Sequence, residues 1–330
     1  MAPLQVGILG VSNFYRKRIA IPVAASPLIE FVAIASRSKQ KAQEAAQEYE
    51  IPRAYESYDA LLADQQVEAV YIPLPNHLHA TWIKRAADAG KHVLCEKPIA
   101  LTAAEAQDCL EYAAERGIIV MEAFMYRMHP QWRHVRQLIR QREIGNVQAV
   151  DVFFGFNNND PDNIRNQKDT GGGALLDVGC YAVSCSRFLL GQEPQRVVSA
   201  ARVHSTFDTD VQLTGIIDFG QALATFTVAT QTFPHQRVVI NGSNGIIAFT
   251  IPFNTYADVE AHVSVTTSVG TRDIYFPPED QYMLEFEAFA QSIQDQKEVP
   301  VPSEDSFANM RVLDALRKSY ESGQWEAVDN

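Results

Sequence analysis

Val6-Gly7-Ile8-Leu9-Gly10-Val11-Ser12-Asn13-Phe14-Tyr15 decides the fold. It reads as an apolar strand, a tight turn at Gly10 and the start of a helix. In a strand–turn–helix unit the first helical amides have no intrahelical partner, and the helix dipole adds positive character there. A diphosphate would sit on Gly10, Ser12, Asn13 and Phe14. The familiar fingerprint for such a turn is GxGxxG or GxGxxA. Here only the first glycine is present: Ser12 is small enough for close approach, and Tyr15 departs from the pattern.

Further strand-like runs follow at Phe31 to Ala35, Ala69 to Ile72, His92 to Cys95 and Ile118 to Glu122. Helix-like stretches separate them, from Ser38 to Glu50, His79 to Ala89 and Thr102 to Arg116, the last with Glu105 in capping-box register. Strands alternating with helices imply βαβ units and a doubly wound parallel sheet, a Rossmann domain over about residues 1–123. The second run ends Ala35-Ser36-Arg37-Ser38. An acid there would bind the ribose hydroxyls of NAD, whereas Ser36 and Arg37 offer hydroxyl and guanidinium donors to a 2′-phosphate. The expectation is NADP rather than NAD.

After about Tyr126 the texture changes. A helix is expected from Pro130 to Gln141. Long alternating runs follow at Val147 to Phe156, Arg196 to Phe207, Gln212 to Phe219, Leu223 to Thr230, Arg237 to Asn241 and Ile246 to Ile251. They predict a large, mostly antiparallel sheet in a second, α+β domain over residues 124–330. Helical patterns return at Gln281 to Ser292 and Ser303 to Tyr320. An open sheet face needs a cover, which points to a homodimer or homotetramer formed through it.

The composition narrows the function. The 330 residues carry 28 Lys and Arg against 40 Asp and Glu, a formal net charge of -12, which argues against nucleic acid or an anionic membrane as partner. Arg16, Lys17 and Arg18 form one local basic cluster. The N-terminus enters a strand pattern without the features of a secretory signal, and no uninterrupted apolar run has the length of a membrane span. Cys95, Cys109, Cys180 and Cys185 form no CxxC pair and read as reduced thiols of a cytoplasmic protein. His77 and His79 form an HxH pair without a third ligand nearby in sequence, so no metal is expected. A hydrolase reading fails for want of a GxSxG elbow.

Lys91-His92-Val93-Leu94-Cys95-Glu96-Lys97-Pro98 places Glu96 and Lys97 at the carboxyl end of a parallel strand, where ligands bind in open α/β sheets. Hydride transfer from an alcohol needs a group that takes the hydroxyl proton, and a lysine at this place suits that task. This segment resembles the EKP motif of the glucose–fructose oxidoreductase / inositol dehydrogenase / rhizopine-catabolism (Gfo/Idh/MocA) family. The likeness covers essentially the whole chain. Leu74-Pro75-Asn76-His77-Leu78-His79 is similar to its PNxxH loop, and Gly171 to Tyr181 to its GGGxxxDxGxY/H segment.

The resemblance implies a role for each matching position. Lys97 corresponds to the proton-transfer lysine and Glu96 to the acid beside it. Leu74, Asn76 and His79 correspond to cofactor contacts, and Arg165 to an arginine that reaches the cofactor from the second domain. Asp177 corresponds to an Asp close to cofactor and substrate. Tyr181 stands where many relatives carry His, which is similar to the aldose dehydrogenases, dihydrodiol dehydrogenases and sugar-nucleotide 3-ketoreductases. Arg18 matches a position near the substrate. His235, in Phe233-Pro234-His235, is expected on a loop that faces substrate or simply connects strands. Asp177 and Tyr181 lie at i and i+4 and share a side of a helix, and the preceding glycines allow backbone close to a ligand.

The expected activity is NADP-dependent hydride exchange with a sugar or diol, of the D-xylose 1-dehydrogenase or dihydrodiol dehydrogenase kind. The alternatives are a sugar-nucleotide 3-ketoreductase and a non-catalytic NADP-binding sensor.

Overall fold

The structure is a computed structural model, and it describes residues 2–328. The chain forms two compact units, Met1–Met128 with Asp280–Phe307, and His129–Glu279 with Ala308–Asn330. The first unit thus takes back a segment from late in the chain, which a single boundary after residue 123 does not provide for. The helix Gln281–Asp295 explains the return: its Phe286 packs edge-on against Phe31 at 5.9 Å and Tyr71 at 5.0 Å.

The first unit is built on a six-stranded parallel sheet of β1 (Leu4–Leu9), β2 (Ile29–Ala35), β3 (Arg53–Tyr55), β4 (Ala69–Ile72), β5 (His92–Cys95) and β6 (Val120–Glu122), in the order β3-β2-β1-β4-β5-β6. This is the doubly wound order, with its switch point between β1 and β4. The central strands are buried on both faces, as the unbroken apolar runs foretell. Capping follows the sequence. Thr102 accepts from the Glu105 amide at 3.2 Å, and Glu105 accepts from the Leu101 amide at 3.1 Å.

The second unit carries a nine-stranded mixed sheet. Its strands are β7 (Val147–Asn157), β8 (Arg196–Val203), β9 (Asp210–Asp218), β10 (Leu223–Ala229), β11 (Gln231–Gly242), β12 (Gly245–Phe249), β13 (Ala261–Thr267), β14 (Gly270–Phe276) and β15 (Glu326–Ala327). The order is β14-β13-β12-β11-β7-β10-β9-β8-β15, and β7–β10 pair in parallel while the other neighbours run antiparallel. On one face Val150, Val152, Phe154, Val238, Ile240 and Phe226 are buried. On the other, Thr214, Thr225 and Arg237 are exposed.

Lys168–Leu190 has the length and apolar composition of a membrane span, yet 89% of that window is buried inside the protein, as in a soluble core helix. Two stretches of helix widen to i→i+5 turns, at Tyr15–Ile19 and Leu175–Gly179. Such turns often mark functional sites, and each falls in a segment singled out from sequence.

Candidate active site

The phosphate turn begins where β1 ends. Gly10 has φ +119, and its amide donates to the Ala35 carbonyl at 3.0 Å. A Cβ there would come within 2.8 Å of Leu74 Cδ2 and 3.8 Å of the Tyr58 hydroxyl. The glycine therefore keeps the backbone close to the loop after β4. Ser12 Oγ accepts from the Tyr15 amide at 3.0 Å and caps the incoming helix. Tyr15, the departure from the fingerprint, is fully buried, edge-on to Phe31 and Tyr49. It takes the third-glycine place as a core aromatic, with the helix widened around it. Arg16 forms an ion pair with Glu48 at 3.0 Å, so the basic cluster read from sequence is partly neutralised.

At the end of β2, Ser36 Oγ accepts from the Ser38 amide at 3.2 Å. Arg37 hydrogen-bonds the Tyr58 phenol and restrains the rise that burial imposes on its pKa. Tyr58 stands edge-on to Trp82 at 4.8 Å. A guanidinium, hydroxyls and a glycine turn, with no acid at the strand end, fit a 2′-phosphorylated dinucleotide.

The loop after β4 meets the loop after β5 through His79. The ring is fully buried. Its Nδ1 lies 2.8 Å from the Pro98 carbonyl and its Nε2 2.8 Å from the Leu74 carbonyl. Burial lowers its pKa, and nearby Lys97 adds to the effect. Both ring nitrogens are thus engaged by the protein. His79 therefore ties these two loops together, in the segment that the resemblance places at the cofactor.

Glu96 Oε1 accepts from the Tyr71 hydroxyl at 2.7 Å. Burial and the Glu96 carboxylate push the Tyr71 phenol far up, so it stays a donor. Behind it lies Glu285, 1% exposed, whose carboxyl is raised well above its usual range by burial and by Glu96. Glu96 is therefore oriented from the core side, next to Lys97 in sequence.

In the second unit the glycine run leads into the helix Cys180–Leu190. Gly173 has φ +117, and a Cβ on it would lie 2.0 Å from Asp210 Oδ1. Asp210, on β9, accepts from the Leu175 amide at 2.6 Å and caps this helical segment. Gly173 thus admits a carboxylate of the protein itself. Burial pushes Asp210 up to about 6 against the pull of these amides. Downstream, Asp177 Oδ2 accepts from Arg165 Nε at 2.7 Å, which brings together two residues that sequence placed separately at the cofactor. Tyr181 packs edge-on to Phe154 at 5.4 Å and Phe253 at 5.3 Å.

His235 does not share that environment. It lies within β11 rather than on a loop, opposite Gly155, with its ring 5.5 Å from Phe153. Neighbouring strand residues point to opposite faces. Gln236, opposite Phe154, is on the Tyr181 side; Phe153 and His235 are on the other. The physical correction is that His235 belongs to the exposed sheet face. Two more residues are structural. Trp132 donates to the Pro252 carbonyl at 2.6 Å, and Arg127 is a buried partner of Asp305 at 2.7 Å. Sequence reading missed Tyr58, Tyr71, Glu122, Asp210 and Glu285. Only Glu122 carried a signal, its place at the carboxyl end of a parallel strand.

Residues 4–124 match the model of an oxidoreductase family with an NAD-binding Rossmann fold, and residues 132–248 match the GFO/IDH/MocA C-terminal domain. The chain is 38% identical to D-xylose 1-dehydrogenase (NADP(+)) 2 of Haloferax volcanii, over 99% of this chain and 100% of that one. It superposes with TM-score 0.91 on a 3-ketoreductase from Actinomadura kijaniata in complex with NADP and TDP-benzene, at 32% identity, covering 96% and 98% of the two chains. It superposes with TM-score 0.90 on aldose-aldose oxidoreductase from Caulobacter crescentus complexed with glycerol, at 26% identity, covering 98% and 99%. With both domains matched in order and relatives aligned end to end, the chain belongs to the Gfo/Idh/MocA family of oxidoreductases.

Proposed function

We propose that the protein is an NADP-dependent oxidoreductase that exchanges hydride with a carbinol or carbonyl carbon of a sugar, with an aldose as its substrate. The observation that carries this reading is Lys97 at the end of β5, in a loop held by His79 and Glu122 beside an oriented Glu96. The nicotinamide supplies or accepts the hydride. Lys97 moves the proton at the reacting oxygen, accepting it in oxidation and returning it in reduction. Tyr181 and Asp177 are proposed as its partners in proton transfer and orientation.

Gly10, Ser12, Asn13 and Phe14 would hold the diphosphate, and Ser36 with Arg37 the 2′-phosphate. Leu74, Asn76 and Glu96 of the first unit are further proposed cofactor contacts, with His79 supporting their loops, and Arg165 and Asp177 are those proposed from the second unit. Arg18 is a proposed substrate contact. The similarity to the 3-ketoreductase supports a second reading, a sugar-nucleotide substrate on the same machinery. We further propose a cytoplasmic homo-oligomer formed through the exposed sheet face, where Asp151 pairs with Arg237 and Thr214 with Thr227. Assay of NADP and NAD with a panel of aldoses and nucleoside diphosphate sugars tests the activity. Turnover with NADP and an aldose is expected; turnover only with the nucleotide sugars would replace it by the second reading, and binding without turnover would leave a sensor.

A further inference from the structure

The segment Glu96-Lys97-Pro98-Ile99 leaves the sheet at Cys95, which lies opposite Glu122 on β6. At its start, the Ala123 amide donates to the Cys95 carbonyl at 2.8 Å. At its end, the Ile99 amide donates to Glu122 Oε1 at 2.9 Å. Between these points, the Pro98 carbonyl is engaged by His79. Glu122 thus grips the amide at the end of the lysine loop from the neighbouring strand. It is 1% exposed.

A carboxylate at that depth needs compensation. Burial pushes Glu122 up to about 7, and Asp305 pushes the same way, while Ser306, the Ile99 amide and Arg127 pull it down. The titratable and charged groups that face it are Cys95 on β5, Arg127 after β6, and Asp305 at the start of the helix Ser303–Ser322. Arg127 shares its charge with Asp305. Its pull on Glu122 is therefore opposed by the Asp305 carboxylate beside it.

We propose that Glu122 is a positioning residue for Lys97, holding the lysine loop through the Ile99 amide more firmly when ionised than when protonated. The physical basis is that a charged acceptor makes the shorter and stronger hydrogen bond. Losing the proton tightens the end of the loop, and gaining it loosens the loop around Lys97. The proposal rests on Lys97 being the proton-transfer group.

The test uses the full-length enzyme. Glu122→Gln keeps an oxygen for the Ile99 amide but cannot titrate. Glu122→Ala removes the acceptor. The alanine variant is expected to lose roughly 10–100-fold in kcat, the scale of a small misplacement of a reacting group, while NADPH binds with near-normal affinity. The glutamine variant is expected to recover most of kcat and to lose the wild-type change in kcat around pH 7. An independent readout is the 15N–1H resonance of Ile99, which should titrate near pH 7 in the wild type and be flat in Glu122→Gln. An Ile99 resonance that ignores pH in the wild type, or a glutamine variant that keeps the wild-type pH profile, overturns the proposal. Persistent turnover in Lys97→Ala would instead refute the lysine assignment, and the Ile99 titration would tell the two failures apart.

Discussion

Replacing Gly173 by Ala tests how the helix bearing Asp177 and Tyr181 is held. The added Cβ would lie 2.0 Å from Asp210 Oδ1 and 3.0 Å from its Cγ, so the carboxylate must retreat from the Leu175 amide. Two costs follow. A non-glycine residue at φ +117 is strained, and the helix loses its cap. The first costs about 1–3 kcal/mol and the second about 1 kcal/mol, together roughly 2–4 kcal/mol. For a unit of this size that lowers Tm by roughly 5–15 °C. Thermal unfolding followed by circular dichroism measures it, and kcat at saturating substrate should fall in parallel as the helix start shifts. A variant that melts within about 1 °C of the wild type would show that Asp210 does not hold this helix.

Other expectations concern single groups. Asp210→Asn tests the buried cap by pH. Its carboxyl is raised from 3.8 to about 6, so the folded protein binds the extra proton and this group's stabilisation is lost as pH rises through that window. Measured against the Asn variant, wild-type stability should fall by about 2 kcal/mol between pH 4 and pH 7, and parallel denaturation curves would refute this. Arg37→Ser should weaken NADPH binding by roughly 10–100-fold, the worth of a charge-assisted hydrogen bond, and leave NADH binding unchanged. Equal losses for both cofactors in calorimetry would take Arg37 away from the 2′-phosphate. His79→Ala removes the buried ring set between the Leu74 and Pro98 carbonyls and should cost about 2–4 kcal/mol in denaturant unfolding. Normal stability with weakened cofactor binding would point to His79 as a direct contact.

The first sheet was largely legible because its strands are short unbroken apolar runs between amphipathic helices. Ala69–Ile72 and His92–Cys95 were read to the residue. The misses have physical causes. β3 is a three-residue edge strand, and β14 is exposed along most of its length, so neither shows an apolar signature. His235 was misread because Pro234 suggests a loop, whereas it sits where the β7–β11 register shifts, a place in a sheet that tolerates proline.

The site was legible where chemistry is local in sequence, as in Glu96-Lys97-Pro98 and the glycine run. It was hidden where the partner is distant. Asp210 reaches Leu175 across 35 residues and Glu122 reaches Ile99 across 23, and no local pattern announces either. The glycine run was recognised as special, and at Gly173 the close neighbour is a carboxylate of the same protein. For His79 the sequence placed the loop, and the coordinates add the Leu74 and Pro98 carbonyls on either side of its ring.

The central claim is that Lys97 moves the proton during NADP-dependent hydride exchange with a sugar. The most direct measurement is nicotinamide absorbance in a single turnover with an aldose panel, wild type beside Lys97→Ala, with NADPH affinity measured on both. The account predicts turnover in the wild type, its loss in the variant and cofactor binding preserved in each. Undiminished hydride transfer without the lysine would contradict it.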